Sequence, residues 1–242
     1  MRPTTADGRP VSLTVFFPAY YDELNIPKVV TGALQVVGEL GIEDHEIIIV
    51  EDGSPDRTGE VADELAARHP TVRVIHHSKN MGYGAALRSG FLGATKEFVF
   101  YTDGDNQFDL QELKKFVALV PYTDIVSGFR IKKQYSTYRK LTSFVYNLVL
   151  RLLFDIQDRD VDCAFKLYRA SIFDGMQLTS KGALIDVEIF ARALRGGARI
   201  AEVGVHHYPR TAGRQTGANL SVIARAFREL FRLWREMRAP VA

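Results

Sequence analysis

The chain has 242 residues, of which 46% are hydrophobic and 25% charged, and a formal net charge of +2. These are the proportions of a globular protein with one large domain, and they exclude collagen-like, coiled-coil and disordered chains. The single cysteine, Cys163, excludes a disulfide framework and a multi-cysteine zinc site and suits a reducing compartment.

In chain order, Leu13 to Phe17 is apolar and β-prone. It predicts a strand, since it is too short for a signal peptide and has no small-residue cleavage site. Asn25 to Leu40 places Ile26, Val29, Val30, Ala33, Val37 and Leu40 on one helical stripe. Strands follow at Glu46 to Val50, Val72 to His76, Phe98 to Tyr101 and Asp124 to Ser127. They alternate with helices at Thr58 to Arg68, Tyr83 to Ala94 and Leu110 to Leu119. This alternation predicts an α/β protein of βαβ units, its parallel sheet covered on both faces.

The second half is less regular. Helices are predicted at Thr137 to Phe154, Ile185 to Leu194 and Leu220 to Met237, and strands at Cys163 to Tyr168 and Arg199 to Val205. The apolar run from Phe144 to Phe154 carries Asn147 and Arg151 and falls short of the ~20 apolar residues of a spanning helix. His206 to Ala218 reads as a loop rich in Gly, Arg and Thr. The chain shows no repeat and no low-complexity linker. The expected organisation is one catalytic domain over residues 1–218, then a C-terminal helix and tail over 219–242.

Charge is unevenly spread. Residues 1–198 carry 23 Lys/Arg against 26 Asp/Glu, whereas residues 199–242 carry 8 against 3. Between Arg130 and Arg151 there are six basic residues and no acidic one. Such bias suits an anionic partner or simply a solvated face.

Ligands of open α/β sheets bind beyond the carboxyl ends of the strands. Three polar clusters sit at such ends: Pro18 to Glu23, Glu51 to Asp56, and Thr102 to Gln107. Acids crowded at one edge repel one another unless a cation or a set of donors compensates them, and a divalent metal with a diphosphate would do so for Asp103 and Asp105. An Asp-x-Asp spacing alone is weak, and Asp158, Asp160 and Asp162 alternate in the same way. What singles out Asp103 and Asp105 is their place directly after a buried-type strand. Asp52-Gly53-Ser54 also reads as a plain turn capping the next helix. Asn80 to Ala86 fails the dinucleotide template, because it follows the third strand and Leu87 replaces the third glycine. Its small residues would instead let a helix approach the sheet or a ligand closely.

The phrases PAYYDELNI, EDGSPDRT, NMGYGAALRSGF and YTDGDNQFD, in this order, resemble the family 2 glycosyltransferases of GT-A fold. Within that family the chain resembles the polyprenyl-phosphate glycosyltransferases of the dolichyl-phosphate mannose synthase type. DVDCAFKLYR and HHYPRTAGR support this branch, and the resemblance spans roughly residues 12–217. It implies a GT-A fold, a nucleotide-sugar donor, a polyprenyl phosphate acceptor, and Mg²⁺ or Mn²⁺. By the same resemblance Pro18, Tyr20, Asp22 and Asp52 contact the nucleotide, while Asp103, Asp105 and Gln107 hold the metal and donor diphosphate. Arg130 and Arg139 grip the acceptor phosphate, and Arg210 and Arg214 lie on a loop closing over the donor. Three departures stand out: Tyr21 where the family usually has Asn, Glu51 where it usually has Asp, and Gln215-Thr216 where the closing loop often ends in Ser-Lys.

The implied chemistry is sound from below. A phosphate monoester acceptor is already anionic at neutral pH, so it needs positioning and charge stabilisation rather than a strong base. Arginine suits that task because its planar guanidinium matches phosphate oxygens in pairs. In-line attack on the anomeric carbon would invert its configuration. Asp162 would orient the acceptor or sugar, or merely cap a strand. His206 and His207 point opposite ways if both lie on a strand, and read as one buried and one exposed histidine. The rival readings are transfer to a soluble saccharide and a non-catalytic nucleotide-sugar-binding membrane adaptor. Nucleic acid is not an expected partner, since sheet-edge acids repel phosphates without metal. Leu220, Ile223, Phe227, Leu230, Trp234 and Met237 make one stripe on the last helix, flanked by five arginines. That helix either packs on the domain, forms the seam of a homo-oligomer, or lies in an anionic membrane interface. The last alternative gives a cytoplasmic protein peripherally bound to a membrane.

Overall fold

The computed structural model describes residues 2–131, 137–180, 182, 184–209 and 220–238, with side chains for all of these except 137–145 and 220–228. Among these residues seven strands form one sheet: β1 (Leu13–Ala19), β2 (His45–Glu51), β3 (Val72–His76), β4 (Phe98–Thr102), β5 (Ile125–Arg130), β6 (Phe165–Arg169) and β7 (Ile200–Val205). Their order across the sheet is β3-β2-β1-β4-β6-β5-β7. All pairs are parallel except those of β6, which runs antiparallel between β4 and β5. The sheet is therefore mostly parallel, as expected. The direction of β6 was not legible because an apolar run has the same pattern in either direction. Every residue of β1 and β4 is buried, and so is all of β2 but His45, because both faces of the sheet are covered.

The helices are α1 (Ile26–Leu40), α2 (Thr58–Arg68), α3 (Tyr83–Gly93), α4 (Leu113–Val117), α5 (Thr137–Phe154), α6 (Leu184–Arg195) and α7 (Leu220–Arg238). Pro27 sits in the first turn of α1, where a missing N–H costs nothing, and Gly41 ends the helix at φ 67°. The helix expected from Leu110 to Leu119 begins instead as a 3₁₀ turn over Leu110–Glu112, because the Asp109 side chain accepts the Gln111 N–H at 2.9 Å. One group of helices is α1 with α2 and α4; the other is α3 with α6, on which α7 packs.

The small residues of α3 do allow a close approach. A Cβ added at Gly90 would lie 2.3 Å from the Phe16 ring of β1. Phe16 and Phe91 meet edge-on at 4.9 Å, and Tyr101 stacks on Phe16 at 5.5 Å. This contact seats α3 and the turn before it against the carboxyl ends of β1 and β4.

In the described part of α7, Leu230 and Leu233 are buried and Met237 packs against the core. The Arg195 guanidinium donates to the Met237 carbonyl. Here the packed-helix reading holds. Trp234, expected on the same stripe, is only partly buried; it stacks with Phe231 at 5.4 Å and carries the Arg238 guanidinium at 4.4 Å. Among the described residues, no helix is long and apolar enough to cross a membrane.

Candidate active site

Because β1 lies between β2 and β4, the loops after these three strands meet at one edge, where the strand order reverses. After β1, Tyr21 adopts φ 58° and its N–H donates to Ser54 Oγ at 3.0 Å. This left-handed conformation suits Asn better than Tyr. Asp22 is 5% exposed. Its carboxylate accepts Tyr20 N–H at 3.2 Å and Asn25 Nδ2 at 3.1 Å, while its N–H donates to Thr58 Oγ1 at 3.0 Å. Asp22 thus ties this loop to the starts of α1 and α2. Pro18 is buried, and its carbonyl accepts the Gly104 N–H at 3.3 Å. Tyr20 is partly exposed and packs edge-on against Tyr21 at 4.7 Å.

After β2, the Asp52 carboxylate accepts three donors: Met81 N–H at 2.8 Å, Gly82 N–H at 2.9 Å and His77 Nδ1 at 2.6 Å. It is the anchor of the turn that opens α3. Glu51 turns to its own loop, accepting the Ser54 N–H, and pairs with His76 Nδ1 at 3.1 Å. Gly53 is required here: its φ is +62°, and a Cβ would fall 2.3 Å from the Lys79 backbone.

After β4, Asp103 accepts the Tyr83 hydroxyl at 3.0 Å and Asp105 accepts the Gln107 N–H at 3.1 Å. Asn106 bends the chain between Asp105 and Gln107 at φ 58°. Burial and then the Asp105 charge push the Asp103 carboxyl up to about 7, and Asp22 and Asp186 add to the repulsion. A divalent cation would relieve that repulsion. Carboxylates are hard oxygen donors of the kind that Mg²⁺ or Mn²⁺ takes together with substrate phosphates. Among the described residues there is no cluster of three or more His, Cys, Asp or Glu side chains able to hold a metal ion. Asp103 and Asp105 are hard oxygen donors of the kind that suits a divalent ion. The Gln107 side-chain amide donates to the Tyr208 carbonyl at 2.8 Å, and Tyr208 N–H returns to the Gln107 carbonyl at 2.8 Å. These bonds tie the acidic loop to the segment after β7.

The other acids divide by role. Arg130, at the end of β5, forms a bidentate pair with Asp160 through Nε and Nη2, both at 2.7 Å, and its N–H also reaches Asp160 at 3.2 Å. Asp160 in turn donates its N–H to Asp158 at 2.8 Å. Asp162 is the exposed member of the alternating trio. The protein packed about it and the Asp186 charge push its carboxyl up to about 6, and Tyr146 Oη lies 3.5 Å away. His206 and His207 are both exposed, because β7 ends at Val205 and strand alternation stops there. His206 bonds to Glu112 through its N–H at 2.7 Å and Nδ1 at 3.0 Å. The Arg139 side chain, Arg210 and Arg214 lie outside the described residues.

Sequence reasoning missed a buried network behind these acids. Lys166, fully buried in β6, donates to the Cys163 carbonyl at 2.6 Å, Asp186 Oδ1 at 2.9 Å and Tyr101 Oη at 3.2 Å. Three donors meet three acceptors. Burial opposes its charge, yet Asp186, Cys163 and Asp158 together outweigh that and hold the ammonium above its ordinary value. Glu188, two residues after Asp186 in α6, accepts Thr179 N–H at 3.0 Å and Ser180 N–H at 2.8 Å and so folds the loop before α6. The legible signal was a lysine inside the apolar run FKLY and two acids inside the apolar run LIDVEIF.

Comparison with known proteins agrees with this geometry. The chain is 30% identical over 218 residues to glycosyltransferase AglD of Haloferax volcanii, covering 86% of this chain but 35% of that protein's length. It therefore spans about a third of that relative. It is 28% identical over 231 residues to a polyprenol monophosphomannose synthase of Mycolicibacterium smegmatis, covering 89% and 85% of the two chains. It is 32% identical over 221 residues to a dolichyl-phosphate beta-glucosyltransferase of Trichomonas vaginalis, covering 84% and 68%. The fold matches the crystal structure of glucosyl-3-phosphoglycerate synthase from Mycobacterium tuberculosis with Mn²⁺, UDP-glucose and phosphoglyceric acid. The TM-score is 0.69 over 92% of this chain and 78% of that one, at 16% identity. The model of the family described as Glycosyl transferase family 2 matches residues 14–176, which contain the loops after β1, β2 and β4, and the chain belongs to that family.

Proposed function

We propose that the chain transfers a hexose from a nucleotide sugar to a polyprenyl phosphate, with inversion at the anomeric carbon. The observation that carries this reading is the mutually repelling pair Asp103 and Asp105 at the reversal of strand order, with the Asp22 charge adding to the repulsion. Asp103, Asp105 and Gln107 would hold Mg²⁺ or Mn²⁺, which as a Lewis acid stabilises the departing nucleoside diphosphate. Pro18, Tyr20 and Asp22 line the base and ribose. Asp52 shapes the same pocket by anchoring the Met81–Gly82 turn. Arg210 and Arg214 bind the donor diphosphate.

The acceptor phosphate attacks without a general base, so this chain supplies charge and orientation. Arg130 and Arg139 do this from the acid-free basic stretch. Asp160 holds the Arg130 guanidinium in place by two of its five N–H donors. Asp162 orients the acceptor or sugar at the cleft surface. The polyprenyl acceptor is supported by the two relatives of which this chain covers 85% and 68%, both named for polyprenol-type carriers. One is named for mannose and the other for glucose, so the donor is of GDP-mannose or UDP-glucose type. The membrane surface would be met by the exposed face of α7, which carries Phe231, Arg232 and Arg235.

Transfer of labelled sugar from GDP-mannose and UDP-glucose into an organic-extractable product tests the reading. Label must enter the organic phase only when a polyprenyl phosphate is supplied. Label transferred equally well to water-soluble saccharides, with none in the lipid phase, would overturn it.

A further inference from the structure

We propose that Tyr83 is a positioning residue for divalent-cation binding: its hydroxyl fixes the Asp103 carboxylate, and the Asp52 anchor holds the turn that presents it. The proposal rests on the reading of Asp103 and Asp105 as cation ligands.

Tyr83 is the first residue of α3, and Gly82 before it adopts φ 92°, a conformation open to glycine. The chain therefore turns sharply and directs the Tyr83 hydroxyl to Asp103 Oδ1 at 3.0 Å.

The turn is fixed from behind. Asp52 accepts the Met81 and Gly82 N–H groups. Its Oδ1 also meets His77 Nδ1 at 2.6 Å, and His77 Nε2 meets Ser89 Oγ at 2.8 Å on the next turns of α3. The His77 and Asp52 side chains are 8% and 5% exposed. The backbone of Lys79 and Asn80 presses against Gly53, leaving no room for even a Cβ.

A continuous chain of hydrogen bonds thus joins the end of β2 to the end of β4 through one turn. Partners that orient ligating carboxylates commonly change metal affinity 10–100-fold when removed. Tyr83 occupies that position, whereas the Met81 and Gly82 N–H groups face the acid at the nucleotide side.

The test is Mn²⁺ titration of the full chain, followed by the electron paramagnetic resonance of free Mn²⁺, with UDP and with GDP present. Tyr83→Phe keeps the ring and removes only the hydroxyl. The expected result is about tenfold weaker Mn²⁺ binding. Nucleoside diphosphate affinity without metal stays as in wild type. The melting temperature moves by no more than about 4 °C, the effect of one hydrogen bond in a domain of this size. Asp105→Asn serves as the control that must lose Mn²⁺. If Asp105→Asn loses Mn²⁺ and Tyr83→Phe keeps wild-type affinity, the positioning role is overturned while the cation site stands. If Asp105→Asn binds Mn²⁺ like wild type, the cation site itself is overturned, and the inference with it.

Discussion

Arg130→Ala is expected to destabilise the fold as well as the acceptor complex. The guanidinium is 22% exposed and the Asp160 side chain 5%, and they are joined by two parallel bonds of 2.7 Å. Removing one partner of a buried pair leaves the other charged and desolvated, which costs about 3–5 kcal/mol. Arg130 is partly solvated, so the lower end, about 3 kcal/mol, applies. In a domain of this size that lowers the melting temperature by roughly 6–12 °C. Asp160→Ala leaves a guanidinium that water can reach and is expected to cost less. The double variant is expected to recover part of the loss, because the uncompensated carboxylate is gone. Circular dichroism melts of the four proteins give the coupling, and apparent KM values taken well below every melt give the function. The acceptor KM is expected to rise in Arg130→Ala, with the nucleotide-sugar KM unchanged. A melt within about 2 °C of wild type, with additive single effects, would refute the argument that Asp160 depends on Arg130.

Three further outcomes are expected. Asp105→Asn abolishes transfer yet raises the metal-free melting temperature, since it removes a charge that repels Asp103; a lower melting temperature contradicts the repulsion. Gly53→Ala costs about 2–4 kcal/mol in urea unfolding, from the left-handed backbone and the collision with Lys79, and a cost below about 0.5 kcal/mol would show that the loops are not packed as described. Burial opposes the charge of Glu188, but the Ser180 and Thr179 N–H groups and Arg192 outweigh it, and its pKa lies below the ordinary 4.5. Its stabilising contribution is therefore present above pH 4.5 and lost as the pH falls through the depressed folded value, so the advantage of wild type over Glu188→Gln shrinks in acid. An advantage unchanged at about pH 3 counts against the bonds to Thr179 and Ser180.

The sheet was legible where local pattern suffices. The strands from Leu13 to Ser127 and the helices between them are uniform in hydrophobic period, and the structure places them within a few residues of the expected bounds. The meeting of the polar runs after β1, β2 and β4 at one sheet edge was legible because parallel strands put their carboxyl ends together. The direction of β6 depends on the path of the chain through α5, which no local period encodes. The engagement of Arg130 by Asp160, 30 residues away, was hidden for the same reason: the sequence shows a basic stretch, and only the fold brings the acid back to it. Lys166 and Asp186 were passed over because charged residues inside apolar runs oppose the pattern that defines those runs, and each is tolerable only through the other.

The nucleotide released during transfer tests the central claim most directly. With labelled nucleotide sugar, polyprenyl phosphate and Mg²⁺ or Mn²⁺, the account predicts one nucleoside diphosphate released for each hexosyl polyprenyl monophosphate formed, with the sugar's anomeric configuration inverted. Release of nucleoside monophosphate with a sugar diphosphate on the lipid, or a product of retained configuration, would contradict it.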